Sequence, residues 1–83
     1  MYLRLTECFN FSRNEYSRKK DIDNIYELKD VIKKDTNCIL TRLGGETIAL
    51  RKVQNVKKVR NTMYITTPNC KYTFMVMQNG KKN

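Results

Sequence analysis

The chain has 83 residues, with 17 Lys and Arg against 8 Asp and Glu, a net charge of +9 and no histidine. That length holds one domain, residues 1–83, with a core so modest that a second copy is a natural way to complete it. Apolar residues at 40% and charged residues at 30% exclude a disordered chain, and no stretch approaches the ~20 apolar residues of a membrane-spanning helix. The start, Met1-Tyr-Leu-Arg-Leu-Thr-Glu-Cys-Phe, lacks the basic-then-apolar order of a signal peptide, so a cytoplasmic location is expected.

In chain order, Tyr2 to Phe11 reads as a strand, with Leu3 and Leu5 alternating against Arg4 and Thr6. Ser12 to Lys20 reads as an exposed loop ending in Arg18-Lys19-Lys20. Residues 21–35 predict an amphipathic helix, because Ile22, Ile25, Leu28 and Ile32 recur at three- and four-residue spacing. Asp21, Asp23 and Asn24 suit its N-terminus, Lys33 and Lys34 its C-terminus.

From Cys38 the period shortens to two. Cys38 to Leu43 and Glu46 to Val53 form an expected hairpin around Gly44-Gly45. Met63 to Thr67 and Lys71 to Met77 form a second one around Pro68-Asn69, and the last strand, apolar on both faces, belongs in the middle of a sheet or at a dimer contact. Between them Val53, Val56 and Val59 recur every third residue. That spacing suits a helix or a bent strand, and the β-branched side chains favour the strand. The tail, residues 79–83, reads as frayed. The expected fold is α+β: an N-terminal strand, one helix and an antiparallel meander of about four strands.

The chemistry of catalysis is thin. Without histidine the commonest acid/base and metal ligand is missing, and Cys8, Cys38 and Cys70 are too dispersed for a zinc site or a closed disulfide framework. Gly44-Gly45 precedes a strand pattern, not a phosphate-binding helix. No catalytic residue, metal or cofactor is expected, and the chain reads as a binding protein and not an enzyme.

The positive charge points to a polyanion, nucleic acid first, since each neutralised phosphate releases a counterion. The candidate contacts are Arg18, Lys19 and Lys20 before the helix, then Arg51, Lys52, Lys57, Lys58 and Arg60 in the sheet half, with Lys81-Lys82 ending the chain. Tyr64 and Tyr72 are candidate rings for base stacking. RNA or single-stranded nucleic acid is favoured, in a regulatory role. The rival reading is a small inhibitor or adaptor docking on an acidic host protein. The wealth of Lys, Asn, Ile and Tyr fits the AT-rich genomes of low-GC bacteria and their phages.

One segment, Ile39-Leu40-Thr41-Arg42-Leu43-Gly44-Gly45-Glu46-Thr47-Ile48, resembles the opening strand and turn of the carbon storage regulator family of RNA-binding translational regulators. The resemblance implies that Leu40, Thr41 and Arg42 lie on an edge strand against single-stranded RNA, with Gly45 and Glu46 as turn residues. Leu43 stands where that family carries a second basic residue, and the last strand lacks its arginine.

Overall fold

A computed structural model describes residues 1–30 and 32–77. The expected tail, with Lys81 and Lys82, lies outside the described residues, as does Val31 of the expected helix. Among the described residues eight strands form one antiparallel sheet: β1 Tyr2–Asn10, β2 Glu15–Tyr16, β3 Ile25–Glu27, β4 Cys38–Arg42, β5 Thr47–Leu50, β6 Asn55–Val59, β7 Thr62–Thr66 and β8 Cys70–Met77. Their order across the sheet is β5-β4-β3-β1-β8-β7-β6, and β2 pairs with the far end of β1. Residues from β1, β3, β4, β5, β7 and β8 share a single core cluster, so the sheet is rolled around one buried face.

The α+β expectation is therefore wrong: among the described residues there is no α-helix, only a 3-10 turn at Lys19–Asp21. The segment expected to be a helix over 21–35 instead supplies this turn, β3 and a loop. Asp23 (φ 73°) and Asp35 (φ 66°) take left-handed backbone that a right-handed helix excludes. The physical competitor is β1, whose inner half needs a partner on the side away from β8. Tyr2, Leu3 and Arg4 find it in Glu27, Tyr26 and Ile25. The helical pattern was nevertheless a true report of burial, since Ile22, Leu28 and Ile32 pack against the rim of the core. Tyr26, which a helix would have left among polar neighbours, is instead 1% exposed in the core.

A bulge sets the faces of β1. The register slips between Leu5 and Glu7, so the buried positions are Leu3 and Leu5 before it and Cys8 after it. The Thr6 hydroxyl donates to the Thr73 carbonyl at 3.0 Å. Leu5 turns its backbone to the 23–24 corner, accepting from Asp23 N–H at 2.7 Å and donating to Asn24 C=O at 3.0 Å. On either side of the bulge, inward rows run across the strands as Leu5-Phe74-Met63-Lys58 and Cys8-Tyr72-Ile65-Val56.

The hairpins of the second half are present, joined by tight turns. In the β4–β5 turn Gly44 takes φ 77° and Arg42 N–H donates to Glu46 C=O at 2.7 Å. Of the valine-rich segment, Asn55–Val59 is strand β6, exposed along its whole length at one end of the sheet, whereas Val53 precedes it, buried in the core. β5 is the other end, and β8 lies centrally between β1 and β7.

Candidate nucleic-acid interface

The same register that fills the core fixes what the outer face carries. Phe9 lies opposite Lys71, Lys71 opposite Thr66, and Thr66 opposite Asn55. The neighbouring outer row is Glu7, Thr73, Tyr64 and Lys57. The Lys71 ammonium sits 5.0 Å over the Tyr64 ring, a cation–π contact between β8 and β7.

On the opposite side of β1, Phe9 is paired with Tyr16. The two rings meet edge to face at 5.1 Å, and Phe11 approaches Phe9 at 6.1 Å. Phe9 is half-buried and acts as the foot of the cluster, whereas Phe11 and Tyr16 are 45% and 54% exposed. Backbone bonds hold the cluster in place: Phe11 N–H donates to Asn69 C=O and Ser17 N–H to Cys8 C=O, both at 2.8 Å. Phe11 and Tyr16, with Phe9 beneath them, together form an exposed apolar platform.

Cations surround the platform. Tyr16 shares a groove of about 470 Å³ with Arg13, Lys19 and Lys20. Arg13 reaches Glu15 at 3.8 Å in an exposed pair worth little, so it stays available to a phosphate. At the other end Lys52 lines a cleft with Pro68, and Pro68 neighbours Asn69, the residue that anchors Phe11. Lysines and arginines thus lie near the rings, with Glu15 and Asp21 interspersed among them.

The candidates named from sequence divide accordingly. Lys57 and Tyr64 belong to this face, Lys19 and Lys20 line the groove with Tyr16, and Lys52 lines a separate cleft with Pro68, next to exposed Arg51. Lys58 lies on the opposite face of β6, in line with Met63. Arg60 occupies the β6–β7 tip, at the far end of β6 from Asn55. Arg18 is already engaged, 3.4 Å from Asp21 and with its guanidinium 5.9 Å over the Tyr72 ring. Tyr72 and Leu40 are core residues, 6% and 0% exposed, and present no side chain to a ligand. Thr41 and Arg42 lie on β4, beyond β3 from β1, with Thr41 beside Glu27. The segment resembling the carbon storage regulators is therefore separate from the aromatic platform.

Phe9, Phe11, Tyr16, Arg13 and Lys71 were missed. The signal available was the clustering of three aromatic residues around the polar turn Ser12-Arg13-Asn14, flanked by basic residues. The pairing of β1 with both β2 and β8 is what joins them to Tyr64.

Burial pushes the Cys38 thiol up to about 11. Burial also pushes Tyr72 up to about 12, against the opposing pull of Arg18. Cys8 is raised by burial, partly offset by its hydrogen bond with Ser17. Among the described residues no group of three or more Cys, Asp and Glu is placed to hold a metal ion.

These shifts set an alkaline limit. A raised folded-state value means that the unfolded chain loses its proton first, so stability is intact below the ordinary values of 9.0 and 10.0. It is then lost as pH climbs toward about 11 for Cys38 and about 12 for Tyr72. Urea midpoints should be flat from neutral pH to pH ~8 and fall steadily above it, and Cys38→Ala should remove the earlier part of the fall.

Compared with protein-family models, with curated proteins and with solved structures, the chain matches none.

Proposed function

We propose that this protein binds single-stranded nucleic acid, RNA foremost, on the outer face of its sheet and acts through binding in a regulatory role. The observation that carries this reading is the exposed pair Phe11 and Tyr16, with Arg13, Lys19 and Lys20 along the groove beside Tyr16 and Lys71 opposite Phe9 on the next strand. Rings free to stack on bases lie within reach of cations free to meet phosphates. Stacking tolerates any base because every base has a π face, and it requires bases that are not already paired. A duplex hides its bases from a flat platform, so single strands are the preferred ligand.

The test is fluorescence anisotropy with labelled single-stranded RNA, single-stranded DNA and duplex DNA over a salt series. Single strands should bind more tightly than duplex, with affinity falling steeply as salt rises. Lys57→Glu should weaken binding by about tenfold and lower the salt slope by about one, the loss of one phosphate contact. Lys58→Glu, on the other face of the same strand, should change affinity much less. Weak binding without preference among the three probes, gone near physiological salt, rejects the proposal.

A second reading, docking on an acidic protein, has its own observation. The β6 edge is open, and beside it Met1, Leu28, Ile32, Val56 and Met63 line an apolar groove of about 440 Å³. An extended acidic segment would find backbone partners on β6 and opposite charge at Lys58. If anisotropy rejects nucleic acid, loss of partner capture on Lys58→Glu is the expected signature of this alternative.

A further inference from the structure

The two ends of the sheet are built differently. β6 carries Lys57 and Lys58 at its middle, and lysines on an edge strand block pairing with another edge. β5 reads Thr47-Ile48-Ala49-Leu50, with no charge, proline or bulge to guard it. Among the described residues no strand lies beyond it.

Backbone phase shows which of its groups are free. Arg42 N–H donates to Glu46 C=O, and the register then pairs Leu40 with Ile48 and Cys38 with Leu50 as hydrogen-bonded partners. In an antiparallel ladder hydrogen-bonded and non-hydrogen-bonded pairs alternate, so Thr47 and Ala49 turn their N–H and C=O groups to the open side. Such a row is a template for one more strand.

The sequence Glu46-Thr-Ile-Ala-Leu-Arg51-Lys52 is complementary to itself when reversed. A two-fold axis joining two antiparallel strands stands perpendicular to the sheet and passes midway between one residue and its own copy. With the axis at Ala49, Ile48 faces Leu50 of the partner subunit. Glu46 then meets the Arg51-Lys52 corner of the partner subunit, once on each side of the axis. Ala49 itself, small and exposed, meets its own copy. Beside it on the outer face is Ile39, 51% exposed and paired with Ala49 across β4 and β5. A foreign strand would have to supply this pattern of one acidic and one basic end around a neutral middle; a second copy supplies it already. β6 offers no such match, because reversal about its centre stacks Lys57 on Lys57.

We infer that the protein forms a two-fold homodimer by antiparallel pairing of β5 with β5 of a second copy, centred on Ala49. The inference does not depend on the nucleic-acid reading, because the seam is centred on Ala49 of β5 and needs no ligand; of the residues it uses, only Arg51 and Lys52 are also candidate phosphate contacts.

Sedimentation equilibrium at tens of micromolar should give twice the chain mass. The dimer should persist at about 0.5 M salt, where screening acts within a few Å and phosphate-driven binding is lost. Ala49→Pro removes an outward N–H without touching the β4–β5 ladder, and Ala49→Lys places a guard charge on the edge. Both should yield monomers with the circular dichroism of the parent chain. Ala49→Cys gives a readout that needs no disruption. A hydrogen-bonded antiparallel pair brings Cα atoms to about 5.5 Å, within disulfide range, so oxidation by copper-phenanthroline should link two copies. A cysteine at Lys57 should remain unlinked. A parent chain that is monomeric at these concentrations, or a dimer in which Ala49→Cys fails to cross-link, overturns the inference.

Discussion

Phe74→Ala is expected to cost about 3–5 kcal/mol, most of the stability of a domain this size. Phe74 is fully buried in central strand β8, in the inward row between Leu5 and Met63. Its neighbours belong to three separate strands, so none can collapse into the space without leaving its own ladder. The lost transfer energy and the unfilled cavity therefore add. Urea unfolding followed by circular dichroism measures the loss. Met75, the next residue, is 39% exposed on the outer face, and Met75→Ala should stay within about 0.5 kcal/mol. Similar effects from the two substitutions would mean that β8 does not present Phe74 to the core.

The second large effect belongs to binding. Replacing both Phe11 and Tyr16 with alanine should lower affinity for single-stranded RNA by about a hundredfold, at ~1–3 kcal/mol per stacked ring. The salt slope should stay unchanged, because no phosphate contact is lost. That separates the rings from Lys57, whose reversal changes the slope. Stability should fall by only about 1 kcal/mol, since both rings are largely in water and contribute mainly their edge contacts with Phe9. Affinity that survives the double substitution would place bound nucleic acid somewhere other than on the aromatic platform.

Much of the sheet was legible. Tyr2–Asn10, Cys38–Arg42, Thr62–Thr66 and Cys70–Met77 all declare themselves by alternation or by glycine and proline turns. Residues 21–35 did not, for a specific reason. Ile22, Leu28 and Ile32 touch the core from a loop that curves around its rim, and a curved rim samples burial every three or four residues as a helix does. What decides between the two is whether a neighbouring strand lacks a partner. β1 did, and three residues, Ile25 to Glu27, were enough to supply it.

The candidate site divides along the same line. Composition alone announced an excess of nine positive charges, and local sequence announced Lys57, Tyr64 and the Lys19-Lys20 pair. It could not tell Lys57 from Lys58, because adjacent residues of a strand face opposite ways and only the register with β7 says which is out. Nor could it tell Tyr64 from Tyr72, one lying under Lys71 and the other enclosed beneath Arg18.

By itself, then, the sequence determined what travels with each residue: the net charge, the lack of histidine chemistry, the turns and most of the strands. Only the tertiary structure decided which side chains meet. The bulge at Thr6 inverts the faces of β1 partway along, and β1 pairs with strands from both ends of the chain. Phe9, Phe11 and Tyr16 join Tyr64 and Lys71 through those pairings, which are contacts between residues too distant in sequence for any local pattern to encode.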